Sequence, residues 1–241
     1  IAFPYLSDKD NAWDILVRMV LEDDCDAGLA AAKSFEDAFP YVSDKLEAWE
    51  DLFYVIDSSS FLNTYETTLS IFRSYSSYPE KQSGYYDLIQ LVTHEDRSVR
   101  DAASISIGYV FQHFPDEVKV LAQKELMSLL DDERFDFKDR LIISMGNAFS
   151  SFPDKENAWN VLHQYLKNGD ESIRKGVAFS IGDACPDLPF PEKSLRDLLI
   201  LAQDESDSVR MGAAHSLGFI YSHIDKDSKI LDSLKILTND S

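Results

Sequence analysis

Two stretches of the chain, FPYLSDKDNAWDIL at residues 3–16 and FPYVSDKLEAWEDL at residues 39–52, are nearly the same phrase. The second begins 36 positions after the first, and the offset preserves the aromatic-Pro-Tyr start, the Ser-Asp-Lys turn and the Ala-Trp pair. Shorter versions of the phrase begin at Tyr78, Phe114, Phe152 and Phe190. A phrase that returns at a nearly constant spacing over most of a chain is typical of a repeat protein.

The period of the repeat can be counted between equivalent residues. We take as marker the residue directly before the Asp or Glu of each phrase's turn. This residue is Ser7, Ser43, Pro79, Pro115, Pro153 and Pro191, and the successive spacings are 36, 36, 36, 38 and 38. A second phrase lies upstream of each marker and is clearest in SVRDAASISIGYVFQHFP at residues 98–115. It carries a basic residue eight positions before a Gly, in the pairs Arg100 and Gly108, Lys138 and Gly146, Arg174 and Gly182, and Arg210 and Gly218.

Both phrases predict helices. Apolar residues recur at spacings of three and four, and the Ser-Asp-Lys and Pro-Asp-Lys turns offer an N-cap oxygen or a first-turn Pro. A helix pair with one apolar face must bury that face against its neighbours. The sequence therefore predicts an all-α fold, an α-solenoid (α-α superhelix) of about six stacked antiparallel helix pairs. The stretch 57–78 departs most from the pattern, with Thr64 where Arg is expected and Phe72 where Gly is expected.

We expect residues 1–241 to form a single repeat domain, because no linker rich in Gly, Pro or Ser interrupts the array. The array begins in mid-unit at Ile1, without Met, so we expect that it is a piece of a longer chain. Trp13, Trp49 and Trp159 recur at one repeat position, which indicates packing between helices rather than a ligand site.

The phrase Val-Arg, followed by Ala and then by Gly, resembles HEAT repeats of the short type found in phycobilisome-lyase-like proteins. It is seen at residues 99–108 and 209–218. The turn motif Phe-Pro-Asp-Lys, followed by Ala-Trp, is similar to the turns of HEAT arrays from archaeal methanogens. The resemblance covers nearly the whole chain and implies an α-solenoid used as a binding scaffold. It also implies that the Arg pairs with an Asp of the turns between repeats, a role that fits Asp96 and Asp170.

The formal charge of −20, from 43 Asp and Glu against 23 Lys and Arg, excludes several classes of partner. Phosphate backbones and anionic membranes both need clusters of basic residues, so we expect neither a nucleic acid nor a membrane as partner. No segment has the ~20 apolar residues of a membrane span. Only Cys25 and Cys185 are present, which fits reduced thiols in a cytoplasmic protein.

The exposed face of the Val-Arg helices follows from the helical period. We number each helix from its basic residue as offset zero. Offsets 3, 4, 7, 10 and 11 predict the packed face, which in one unit holds Ala103, Ser104, Ile107, Val110 and Phe111. Offsets 1, 5 and 9 fall on the opposite face, which the resemblance implies is a concave groove.

Offset 5 is apolar in four consecutive units, at Leu69, Ile105, Ile143 and Phe179, and is followed by His215. Offsets 1 and 9 add Tyr65, Tyr109, Met211 and Phe219 together with the carboxylates Asp101, Asp139 and Asp183. An apolar strip edged by carboxylates suits a protein or peptide segment of basic, amphipathic character. The alternative is that the solenoid closes its own groove, or that another repeat or a second copy covers it.

No motif in the sequence indicates catalysis, a cofactor or a metal. The single His94-Glu95 pair does not match the several pairs of the HEAT-like metalloenzyme deoxyhypusine hydroxylase, and no phosphate loop or nucleophile motif is present. We therefore expect a non-catalytic protein-interaction scaffold. A bilin lyase or isomerase, suggested by the repeat style, is the second hypothesis, and an absorbance shift of an added linear tetrapyrrole would identify it. A DNA glycosylase would need a basic groove, which the charge opposes.

Overall fold

The computed structural model describes residues 3–22, 26–58, 61–184 and 191–221, and every regular element in these ranges is helical. The α-helices of the described ranges are α1 (Lys9–Glu22), α2 (Asp26–Ala38), α3 (Lys45–Ser58), α4 (Phe61–Ser74), α5 (Lys81–Val92), α6 (Arg97–Val110), α7 (Asp116–Asp131), α8 (Lys138–Ala148), α9 (Lys155–Gln164), α10 (Glu171–Ala184), α11 (Pro191–Leu201) and α12 (Asp207–Tyr221). The all-α prediction is confirmed.

The helices pack in two ways that define an α-solenoid. Helices that follow each other along the chain pack as pairs, as α1 does with α2 and α11 with α12. The second helices of successive pairs also pack on each other, and this arrangement joins α2 to α4, α4 to α6, α8 to α10 and α10 to α12. Each repeat therefore buries its apolar face against its neighbours.

The chain divides into two compact units, Ile1–Val118 and Lys119–Ser241, which are described separately below. The first unit contains α1 to α6, and the second contains α8 to α12 and most of α7. The single domain over 1–241 stays a prediction. Cys25 and Cys185 lie outside the described residues.

A buried aromatic residue at offset 11 ends the second helix of several pairs. Phe39, Tyr75, Phe111 and Phe149 each begin a short 3-10 turn and are fully buried. In the first unit Phe39 lies between Trp13 and Trp49, with ring centroids 6.0 Å from each. Trp13, Trp49 and Trp159 are each 3% exposed, which confirms their predicted packing role.

The aspartates of the repeat turns are the helix caps. The carboxylate of Asp44 accepts the backbone N–H groups of Leu46 and Glu47 at the start of α3. Asp154 accepts the N–H of Asn157 at the start of α9 in the same way. A side-chain oxygen at this position satisfies N–H groups that have no partner within the helix. The repeat phrase thus places a capping oxygen at the start of α3 and of α9, whereas the N-cap side chains of α5 and α8 make no such bond.

Close contacts between second helices depend on Gly and Ser. A Cβ atom added to Gly146 of α8 would lie 2.6 Å from the Cα of Ser180 in α10, and one added to Gly182 would lie 2.7 Å from the Cβ of Ser216. The described glycines all have negative φ, so space rather than backbone conformation requires Gly at these two positions. The Ser hydroxyl at each contact donates a hydrogen bond to the backbone carbonyl at offset 4 of the preceding second helix. Ser180 of α10, for example, donates to the carbonyl of Ile142 in α8 at 2.5 Å.

The prediction that Arg174 pairs with Asp170 is wrong. Its guanidinium binds Asp204 through two N–H groups, at 2.7 and 2.8 Å, and also donates to the carbonyls of Asn168 and Gly169. The carboxylate of Asp170 instead accepts the N–H of Ser172. Arg174 is almost buried, and its hydrogen bonds hold the pKa of Asp204 below its usual range. An Arg does bridge two turns here, but its acidic partner belongs to the following repeat.

The predicted packed face of the second helices is confirmed where it is described. Ala103, Ser104, Ile107, Val110 and Phe111 are all buried in the first unit. In the second unit the equivalent residues Ala213, Leu217 and Ile220 are fully buried, and Ala214 is half-buried. Within the described ranges no helix combines the length and apolar character needed to cross a membrane.

A matched pair of Gly to Ala substitutions tests the close approach. Gly146→Ala should lower the free energy of unfolding by about 1–3 kcal/mol, because its methyl group meets the Ser180 backbone. Gly218→Ala, at the same offset of α12 with no atom of the described residues within 4 Å of the added Cβ, should raise stability by about 0.5–1 kcal/mol through helix propensity. Urea unfolding followed by circular dichroism measures both. Equal effects would contradict the packing described.

Candidate functional site

A pocket of about 560 Å³ lies between α4 and α6 in the first unit. It contains four of the predicted site residues, Tyr65, Leu69, Ile105 and Tyr109. Tyr65, Leu69 and Ile105 are half-buried, whereas Tyr109 is 60% exposed. The rest of the lining is Phe72, Arg73, Ser76, Ser106, Val110 and His113. Offsets 5 and 9 of both helices, with offset 1 of α4, thus meet at one opening.

The pocket coincides with an irregularity in the contact between the two helices. Near their N-terminal ends α4 and α6 are close, since the hydroxyls of Thr64 and Ser98 are 3.0 Å apart. Farther along, Phe72 occupies offset 8 of α4, where α8 and α10 have Gly, and its side chain is 1% exposed. A phenyl ring at this position occupies the space into which the next helix would otherwise fit.

The series of Ser hydroxyl bonds between successive second helices, which we call the hydroxyl ladder, is interrupted at the same place. Ser70, Ser180 and Ser216 occupy offset 6 and donate to a carbonyl of the preceding second helix. Ser106 occupies offset 6 of α6, yet it lines the pocket, and its hydroxyl has no hydrogen-bond partner in the part of the chain that the structure describes. The pocket is therefore the site where one helix contact of the repeat is left open.

The charged groups at this pocket are cationic. Arg73 donates one guanidinium N–H to Glu36 at 2.8 Å, and both side chains are partly exposed. Desolvation lowers the pKa of His113, and the positive charge of Lys81 acts in the same direction, so His113 is neutral near pH 7. Lys81 itself donates to the carbonyls of Tyr75 and Ser76. None of the described residues that line the pocket is Asp or Glu.

The second unit carries the other predicted apolar residues on α8, α10 and α12. Ile143 and Phe179 are half-buried, and the ring centroids of Phe179 and His215 are 5.5 Å apart. On α12, Met211 is 58% exposed and Phe219 is 43% exposed. These residues form an apolar surface that we call the α10–α12 surface.

The predicted carboxylates lie in different surroundings. Asp101 is half-buried on α6 and does not line the pocket. Asp139 lies on α8 beside Asp170 in a separate recess of the second unit. Asp183 is exposed on α10; desolvation raises its pKa, and the nearby His215 partly opposes this. Of these three carboxylates, Asp183 is the one that lies beside the α10–α12 surface, since it interacts with His215.

Six further residues line the pocket. Arg73 falls at offset 9 of the predicted face, whereas Phe72, Ser76, Ser106, Val110 and His113 were not predicted as site residues. The signal that pointed to them was Phe72 at a Gly position, because this replacement marks where the regular contact fails. In the described ranges no cluster of three or more His, Cys, Asp or Glu side chains is placed to hold a metal ion.

Comparisons with known proteins assign no family to the chain. No protein-family model matches the sequence, and no curated protein matches it. A crystal structure of an engineered protein from the Northeast Structural Genomics Consortium is similar at 18% identity and a TM-score of 0.48, over 88% of this chain and 97% of that one. A second engineered protein from the same consortium gives 17% identity and a TM-score of 0.49, over 90% of this chain and 100% of that one. The two likenesses carry no argument about function.

Two Ser to Ala substitutions test the open contact. Ser216→Ala should lower the free energy of unfolding by about 1 kcal/mol, because it removes a buried hydrogen bond of 2.8 Å to the carbonyl of Ala178. Ser106→Ala should change stability by less than about 0.5 kcal/mol, because it removes no such bond. Urea unfolding of the two variants beside the parent protein gives the comparison. A Ser106→Ala cost as large as that of Ser216→Ala would show that the ladder is intact at the pocket.

Proposed function

We propose that the protein is a non-catalytic scaffold of the HEAT type that binds a peptide or protein segment along the exposed face of its second helices. The observation that carries the proposal is the pocket between α4 and α6, where an exposed Tyr109 and half-buried Leu69 and Ile105 come together. A concave, mostly apolar site with a few polar groups is the usual form of a binding site.

The α10–α12 surface supports the same proposal. Met211 and Phe219 are large, exposed and on one helix, and they lie at the offsets that the sequence assigns to the binding face. Exposed apolar side chains that cluster on one face typically mark an interaction surface. The pocket and this surface are two separate apolar sites, one within each unit.

The partner that we propose is a basic, amphipathic segment. The formal charge of −20 favours encounter with a cationic partner, and Asp183 beside His215 provides a carboxylate next to the apolar surface. Charges at the edge of such a site mainly affect the association rate and its dependence on salt. We place this scaffold in the cytoplasm, again as a proposal.

Selection from a displayed library of random 15-residue peptides tests this function. The immobilised protein should enrich sequences that combine Lys or Arg with apolar residues at helical spacing. Binding of the enriched peptides should fall at least tenfold for Ile105→Asp or Phe179→Asp, because a buried carboxylate disrupts the apolar contact. Circular dichroism should show that both variants remain helical.

Two variants on the first helices of the pairs are the controls. Tyr54 of α3 and Val120 of α7 are 60% and 64% exposed, so Tyr54→Asp and Val120→Asp add the same charge elsewhere. They should leave peptide binding unchanged. A library that yields no enrichment, or peptides that bind all four variants equally, would argue against the proposal.

A further inference from the structure

The pocket between α4 and α6 differs in charge from the rest of the chain. Asp and Glu account for 43 of the 241 residues, yet the described lining contains none of them. It contains Arg73 and His113, and the ammonium group of Lys81 is near enough to lower the pKa of His113. The lining thus carries one cation, Arg73, and the carboxylate that pairs with it, Glu36, is not part of the lining.

The polar groups of this pocket have unused hydrogen-bonding capacity. A guanidinium has five N–H donors, and the described contacts of Arg73 use one of them, in the bond to Glu36. The hydroxyl of Ser106 has no partner among the described residues. Neutral His113 supplies one donor and one acceptor. These three side chains line the same opening as Leu69 and Ile105.

We infer that this pocket binds a small organic acid, a compound with an aromatic or branched apolar body and one anionic group. The apolar body lies between Leu69, Phe72 and Ile105, and the anionic group accepts hydrogen bonds from Arg73 and Ser106. The volume of about 560 Å³ lies within the range of small-molecule sites, which is roughly 300–1,000 Å³. The acid and the proposed peptide would share this opening, so each is expected to exclude the other there.

The ion pair with Glu36 controls the strength of this site. Exposed ion pairs contribute little to stability, so an incoming anion competes with Glu36 for the guanidinium at small cost. A charge-assisted hydrogen bond from Arg is stronger than a neutral one and fixes the orientation of the acid group. Selectivity for an anion over a neutral compound of the same shape therefore depends on Arg73.

Two fluorescent probes of similar shape test the inference directly. 1-Anilinonaphthalene-8-sulfonate is an apolar anion whose sulfonate takes the place of the carboxylate, and N-phenyl-1-naphthylamine is its neutral analogue. We expect the anion to bind the wild-type protein saturably and at least ~5-fold more tightly than the neutral probe, as one charge-assisted hydrogen bond predicts. Equal affinity for the two probes, or no saturable binding of the anion, would overturn the inference.

Charge variants identify the residues. Arg73→Gln should weaken binding of the anionic probe about 10-fold and leave the neutral probe within about 2-fold. Glu36→Gln should strengthen binding of the anionic probe, because it removes the competing carboxylate and leaves Arg73 in place. Both are surface changes that preserve the helices. The inference fails if neither variant alters the affinity for the anion.

A steric pair shows where the probe binds. Ile105→Trp fills the pocket and should abolish binding of both probes. Val120→Trp adds the same indole on the exposed face of α7, at a residue that lines neither this pocket nor the α10–α12 surface, and should leave both affinities unchanged. Loss of binding in both Trp variants, or in neither, would place the probe elsewhere on the protein. Peptide binding by the scaffold is measured separately, so the two proposals fail independently.

Discussion

The close approach of one second helix to the next is the constraint on which the structure depends. Between α8, α10 and α12 a Gly at offset 8 admits the backbone of the neighbouring helix, as Gly146 does for Ser180, and a Ser at offset 6 reaches a carbonyl across the contact. Between α2 and α4 the same Ser bond forms with Glu36 at offset 8. This contact buries offsets 3, 4, 7 and 10 of each helix and turns offsets 1, 5 and 9 outward. The exposed apolar positions are therefore a geometric result of how the repeats stack.

The candidate site arises where this constraint is relaxed. Phe72 replaces Gly at offset 8 of α4, Ser106 loses its carbonyl partner, and a pocket forms between helices that contact closely at their N-terminal ends. An open contact of this kind leaves a polar hydroxyl and apolar side chains accessible together. A departure from a repeat pattern is consequently as informative about function as the pattern itself.

The sequence was sufficient for the helices, the solenoid and the two faces, because all three follow from periodicity. It also predicted that Trp13, Trp49 and Trp159 are buried. It failed for Arg174, whose partner is Asp204 and not Asp170, because pairing across 30 residues depends on how successive turns stack. The absence of Asp and Glu from the described pocket lining was likewise not predicted, since overall charge does not show which few charged side chains surround an opening.

A crystal structure of the Phe72→Gly variant is the most direct test of the central claim that the residue at offset 8 sets the spacing of the helices. With Gly at this position, α6 should move towards α4, the Ser106 hydroxyl should lie about 3 Å from the carbonyl oxygen of Thr68, and the pocket should close. If Ser106 keeps its place and the pocket instead grows by the volume of the lost ring, the account is wrong.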